Sequence, residues 1–198
     1  MKELLATTLA SALLAAVSYG QGTVSFKNYF GSPTTDPRVN FYTGYGVTGS
    51  QYVVALMAGP TSGSEVQVAT TTFLTQAAAA GFFQGGVVSI PTVPGGATAF
   101  CTIEVWDSTL NGTTTGATYA QAEAYTVNQL PNIVPNLFGS SVEFAVVTGN
   151  PNGNPPTPPA FLVPGLTSFS LSAPIPEPSG FTLMSLGAAT LMIFRRRG

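Results

Sequence analysis

An all-β fold is what this sequence predicts: an antiparallel β-sandwich or jelly roll, flanked by an N-terminal signal helix and a C-terminal hydrophobic helix. Three observations carry the prediction. Short alternating or continuous apolar runs recur through the middle of the chain. Gly/Pro-rich turn signals separate them at short intervals. The two ends are different in kind, each holding an uncharged apolar run next to a charged cluster.

The chain opens with Met1-Lys2-Glu3, followed by an apolar run over residues 4–17 that is too short to span a bilayer comfortably. Ser18-Tyr19-Gly20 then places small residues at the first and third positions. This is the grammar of a secretory signal peptide, and it places signal peptidase cleavage between Gly20 and Gln21. Glu3 offsets Lys2 and weakens the charged start.

The first strand candidates are 23–30 and 38–43, both nearly alternating, and 52–57, a continuous apolar run ended by Gly59-Pro60. Further candidates follow at 66–73, 86–90, 97–106, 117–127, 141–148 and 166–172. The intervening turns are marked by Gly44-Tyr45-Gly46, Pro94-Gly95-Gly96, Asn111-Gly112 and Gly149-Asn150-Pro151, among others. Residues 74–80 predict the one helical piece of the body, two turns ended by Gly81. Residues 150–159 carry five prolines and predict an extended loop or linker. The resulting division is a signal peptide over 1–20 and a β-sandwich domain over 21–149. A Pro-rich loop or linker with a possible last strand covers 150–173, and a tail covers 174–198.

With the ends set aside, about 150 residues remain, the size of one ordinary domain. Charged residues are only 7% of the chain, against roughly 25% in an average soluble domain. Between the expected cleavage point and the sorting motif, residues 21–178 keep two cations, Lys27 and Arg38, against seven carboxylates including Glu177, a net charge of −5. A nucleic-acid partner needs a basic face to displace counterions from phosphates, so it is excluded. Cys101 is the sole cysteine, which rules out an intramolecular disulfide. The chain has no histidine. Ser-His-Asp triads, His-ligated zinc and imidazole acid–base chemistry are therefore absent, and no metal or cofactor is expected.

The tail reads Pro174-Ile175-Pro176-Glu177-Pro178-Ser179, an uncharged run over 180–194, then Arg195-Arg196-Arg197. The prolines make a helix-incompatible hinge. Fifteen residues of helix reach roughly 23 Å, short of the ~30 Å hydrocarbon core, so the run is a marginal anchor. The arginines belong on the cytoplasmic side and leave the body outside. Pro176-Glu177-Pro178, the apolar helix and the arginine cluster together resemble the PEP-CTERM sorting signal of Gram-negative bacteria. The resemblance covers about the last 23 residues. It implies recognition by exosortase, a membrane protease or transpeptidase, through Pro176, Glu177 and Pro178. It implies Arg195, Arg196 and Arg197 as the cytoplasmic retention signal. It further implies a transient inner-membrane anchor, cleavage near the motif, and delivery to the cell surface or extracellular matrix.

Chemistry in the body has few candidates. In a strand, Glu104 and Trp106 share a face. An exposed acid beside an exposed indole makes a sugar contact, whereas Trp106 in the core with Asp107 capping a turn makes an ordinary strand end. Glu104 paired with Glu123 or Glu143 would satisfy the two-carboxylate requirement of a glycosidase, as many acid pairs in a small fold would. Residues 107–111 hold oxygen ligands without EF-hand spacing. Tyr29, Tyr42, Tyr45 and Tyr52 make either a surface aromatic patch or half-buried strand packing. The function expected is an exported, non-enzymatic surface or matrix protein, with signal peptidase and exosortase as partners and no catalytic residues. The alternative is a lectin-like β-sandwich binding exopolysaccharide.

Overall fold

The structure, a computed structural model, describes residues 20–31, 36–110, 113–114, 116–129, 137–163 and 165–172. The expected signal helix, the sorting motif Pro176-Glu177-Pro178 and the cluster Arg195-Arg196-Arg197 lie outside the described residues, apart from the cleavage pair Gly20 and Gln21.

The described chain is mostly β. Its strands run in order β1 (Gln21–Lys27), β2 (Val39–Phe41), β3 (Tyr52–Gly59), β4 (Val66–Thr72), β5 (Gln84–Pro94) and β6 (Thr98–Asp107). Then come β7 (Thr109–Leu110) and β8 (Thr113–Thr114), the helix α1 (Tyr119–Gln129), β9 (Phe138–Ser140), β10 (Phe144–Val147), β11 (Ala160–Phe161) and β12 (Phe169–Leu171). One sheet has the order β11-β1-β5, and a larger one the order β10-β6-β3-β4 with β9 also on β6. Two short pairs, β12-β2 and β7-β8, complete the pattern.

Alternation places the core. On β3, Val54, Leu56 and Ala58 are fully buried, and on β6 so are Ala99, Cys101, Ile103 and Val105. They pack in one cluster with Val24 and Phe26 of β1 and Ile90 of β5. The other face of β3 and β6 feeds a second, smaller cluster of Ala55, Trp106 and Ala122, under α1. Asn28 ties the end of β1 to its surroundings. Its Nδ2 donates to Pro37 O and Gly81 O at 2.9 Å each, and its Oδ1 accepts from the Phe83 N–H at 2.7 Å. Asn28 is fully buried, and these three hydrogen bonds are why a polar side chain is tolerated there.

Three expectations are corrected. Residues 117–127, expected as a strand, form α1. Thr118 and Gln121 make a capping box: the Gln121 N–H donates to Thr118 Oγ1 at 3.3 Å, and the Thr118 N–H donates to Gln121 Oε1 at 2.9 Å. Ala120, Ala122 and Ala124, alternating with Gln121 and Glu123, add helix propensity. Residues 74–80, expected as two helical turns, give only a single 3-10 turn, Ala77–Ala79. Gln76 offers no side-chain cap there, and Gly81 is pulled into β contacts, donating its N–H to Val47 O and accepting from the Val39 N–H. Finally, pairing is not wholly antiparallel, because β11 runs parallel to β1 and β12 parallel to β2. Parallel neighbours need a long crossover, and chain segments of well over a hundred residues separate these partners.

Residues 150–159 stay outside the strands but are not slack. The Asn150 N–H donates to Thr157 Oγ1 at 2.6 Å and the Thr157 N–H returns a bond to Asn150 O at 2.9 Å, closing the loop on itself.

Candidate functional site

Trp106 is the residue on which the sugar-contact reading depends, and the structure buries it. Its side chain is 5% exposed. Its Nε1–H donates to Ala117 O at 2.6 Å, and Tyr119 of α1 meets the ring edge-on, with centroids 6.0 Å apart. Phe138 in turn meets Tyr119 at 5.7 Å. An indole covered in this way presents no face to a pyranose. The exposed-platform expectation is corrected in favour of the core placement. The physical reason is α1, which lies over the outer face of β6 just where the ring emerges.

Glu104 does share that face, and it is half-buried. Its carboxyl is held above the ordinary carboxylate range, first by burial and then by repulsion from Glu123. The Tyr119 phenol is pushed up as well, mainly by burial, with Glu104 and Glu123 adding to it and a hydrogen bond to Ser140 opposing. Of the acid pairs considered from sequence, the fold therefore brings together Glu104 and Glu123. What this arrangement does chemically is keep a proton on Glu104 to higher pH than usual.

Glu143 goes elsewhere. It faces Glu65 beside the β3–β4 turn, where its Oε2 accepts from Ser62 Oγ at 3.0 Å and from the Gly63 N–H at 3.2 Å. The same N–H reaches Glu65 Oε1 at 3.3 Å. The Glu143 carboxyl is held below the ordinary range, first by its hydrogen bond to Glu65, then by Ser62. Glu143 is exposed and Glu65 half-buried, and the pair organises a tight turn rather than a cleft.

The tyrosines divide. Tyr52 is buried against Phe41, with centroids 5.4 Å apart, and its phenol is pushed up mainly by burial, with Asp107 second. Tyr29 packs on Phe82 at 5.1 Å, and the Arg38 guanidinium lies 4.7 Å over the same ring. Tyr42 and Tyr45 stand free, 71% and 77% exposed, at the tip of the turn that follows β2. Nothing in the spacing alone separated these roles. The nearest signal was the glycine of Tyr42-Thr43-Gly44-Tyr45, which marks a turn and therefore a tip.

Asp107 caps a turn, as one of the two sequence alternatives had it: its Oδ1 accepts from the Thr109 N–H at 2.8 Å and from Thr109 Oγ1 at 2.6 Å. Cys101 is fully buried and its thiol is pushed up to about 12, mainly by burial. At the expected cleavage pair, Gly20 precedes β1 and its carbonyl accepts from the Gly95 N–H at 2.7 Å, while Gln21 is exposed. Among the described residues no three acidic or cysteine side chains gather as metal ligands, and no helix is long and apolar enough to cross a membrane. Compared with known proteins, the chain matches no family model, no curated relative and no solved structure.

Proposed function

We propose that this chain is an exported, non-enzymatic protein of the cell surface or extracellular matrix, sorted through its C-terminal tail. Signal peptidase removes the N-terminal segment, and an exosortase-type membrane protease processes the tail. The observation that carries this reading is the order Pro176-Glu177-Pro178, an uncharged run, then Arg195-Arg196-Arg197, in the sequence that follows β12, the last strand among the described residues. The body is then an antiparallel β-sandwich in the main. Its support is the principal core, which draws Val24, Phe26 and Ile90 from one sheet and Leu56, Ile103 and Val105 from the other.

Mass spectrometry of the exported protein tests the processing. The expected termini are near Gln21 and near Pro178. Recovery of exported protein that still carries Arg195-Arg196-Arg197 overturns it.

The second reading, a carbohydrate-binding module on exopolysaccharide, loses Trp106 as a stacking platform. One observation still favours it, the exposed rings of Tyr42 and Tyr45. A polysaccharide pull-down that fails with the native protein, or that succeeds equally after replacing both tyrosines by serine, removes that support.

A further inference from the structure

The exposed tyrosine pair and the exit of the chain toward its tail lie at the same end of the fold. β12 runs parallel to β2 with Leu171 beside Phe41, so Ser172 leaves the fold alongside Tyr42. Ser172 also bridges to Phe138, which pairs with Trp106, and Asp107 stands opposite Tyr52 at that end of β3. The opposite end of β3 is Gly59, beside Phe100. There lie the turn 60–63 and the carboxylates Glu65 and Glu143. An eight-residue strand separates the two ends by about 25 Å.

The turn that presents the rings is firmly held. The Phe41 N–H donates to Tyr45 O at 2.7 Å, and the Gly44 N–H to Phe41 O at 2.8 Å. Gly44 supplies a φ of 87°, which most other residues adopt only with strain. Gly46 abuts the Ala80 carbonyl with no room for a Cβ. Two aromatic rings on a fixed turn lose little conformational freedom when they dock.

Distance then limits what the rings can meet. Seven residues, 173–179, separate Ser172 from the uncharged run that starts at Gly180. Extended, they reach at most about 25 Å, and in a polyproline conformation about 22 Å. With that run inserted, the turn is tethered within this distance of the bilayer, and the carboxylate pair is at the far end. Tyrosine is suited to such a place, with an apolar body and a hydroxyl that stays wet. A sugar site asks in addition for amide or acid groups that fix hydroxyls; beside its rings the turn supplies only Thr43 and Gly44.

We propose that, while the tail is inserted, the turn 42–45 docks on the membrane and seats Tyr42 and Tyr45 in the headgroup region. This rests on the reading of 180–194 as a membrane segment. The docking orients the body with the C-terminal end of β12 toward the bilayer and with Gln21 and the turn 60–63 away from it.

The test uses the chain from Gln21 to Gly198 in phosphatidylcholine vesicles. Thr43→Cys carries an environment-sensitive fluorophore, and Gln67→Cys, exposed near the far end of the fold, carries the same probe in a second variant. The native thiol of Cys101 is buried and stays unlabelled. Flotation reads insertion of the tail separately. The expected result is a blue-shifted Thr43 probe that lipid-borne spin labels quench, an unshifted Gln67 probe, and loss of the shift when Tyr42→Ser and Tyr45→Ser are added to a chain that still floats. Flotation without a shift at position 43 overturns the docking and leaves the tail reading standing. Failure to float overturns both. A neutral polysaccharide that produces the same shift without vesicles assigns the turn to a glycan and also overturns the docking.

Discussion

Glu104 shows how one side chain senses its surroundings. Burial and the nearby Glu123 hold its carboxyl above the ordinary range. The folded state thus binds the proton more tightly than the unfolded chain, whose glutamate titrates at about 4.3. The sign follows: the associated stability is fully present below the unfolded value and is lost as pH rises through the folded one. Glu104→Gln keeps the shape and removes the charge. Urea unfolding at several pH values, followed by the fluorescence of Trp106, is expected to show the native protein losing stability across that window relative to the variant. Parallel curves for the two would mean that Glu123 and burial exert no net penalty on the carboxylate. Trp106 is a suitable reporter because it is the sole tryptophan and sits under α1.

At the level of the element, α1 decides the character of the outer face of β6. Its start is specified by the capping box of Thr118 and Gln121, a pattern visible in the sequence as Thr-x-x-Gln. The alternating look of 117–127 hides it, since Ala and Tyr at every second or third position suit a strand as well as a helix. Thr118→Ala removes the acceptor for the Gln121 N–H. It is expected to cost about 1 kcal/mol, read as a lower urea midpoint with an unchanged slope. The strands were easier to read. The continuous apolar run 52–57 became β3 and the run 97–106 became β6, each within about two residues, because both faces of these strands are covered. The parallel partners β11 and β12 were not legible as such. Three residues or fewer carry no direction of pairing, and their partners lie more than a hundred residues away.

For the molecule as a whole, the last segment is structural and not merely a lead to the tail. Leu162 and Leu171 are fully buried and Leu166 is 5% exposed. At roughly 2 kcal/mol for each buried leucine, they represent about 6 kcal/mol. That compares with the 5–15 kcal/mol total of an ordinary domain. A chain ending at Pro159 is therefore expected to lose cooperative unfolding, checked by near-ultraviolet circular dichroism and thermal melts. A sharp melt in that truncated chain would show that β11 and β12 are dispensable. The same segment brings Leu171 beside Phe41, next to Tyr42, so under the docking proposed above stability and orientation both depend on one stretch of thirteen residues, 160–172.

Some properties of this protein are local and stand in the residue order alone. The apolar alternation of the strands, the lack of histidine, the low charge and the sequence of hinge, apolar run and arginines each depend on neighbours a few positions apart. Others emerge only when distant segments meet. Whether Trp106 faces water or a helix, whether Glu104 meets Glu123 or Glu143, and which tyrosines reach solvent are settled by packing between segments separated by tens of residues. Burial and pairing of this kind depend on which surfaces come together, and periodicity along one strand names a face without saying what will cover it.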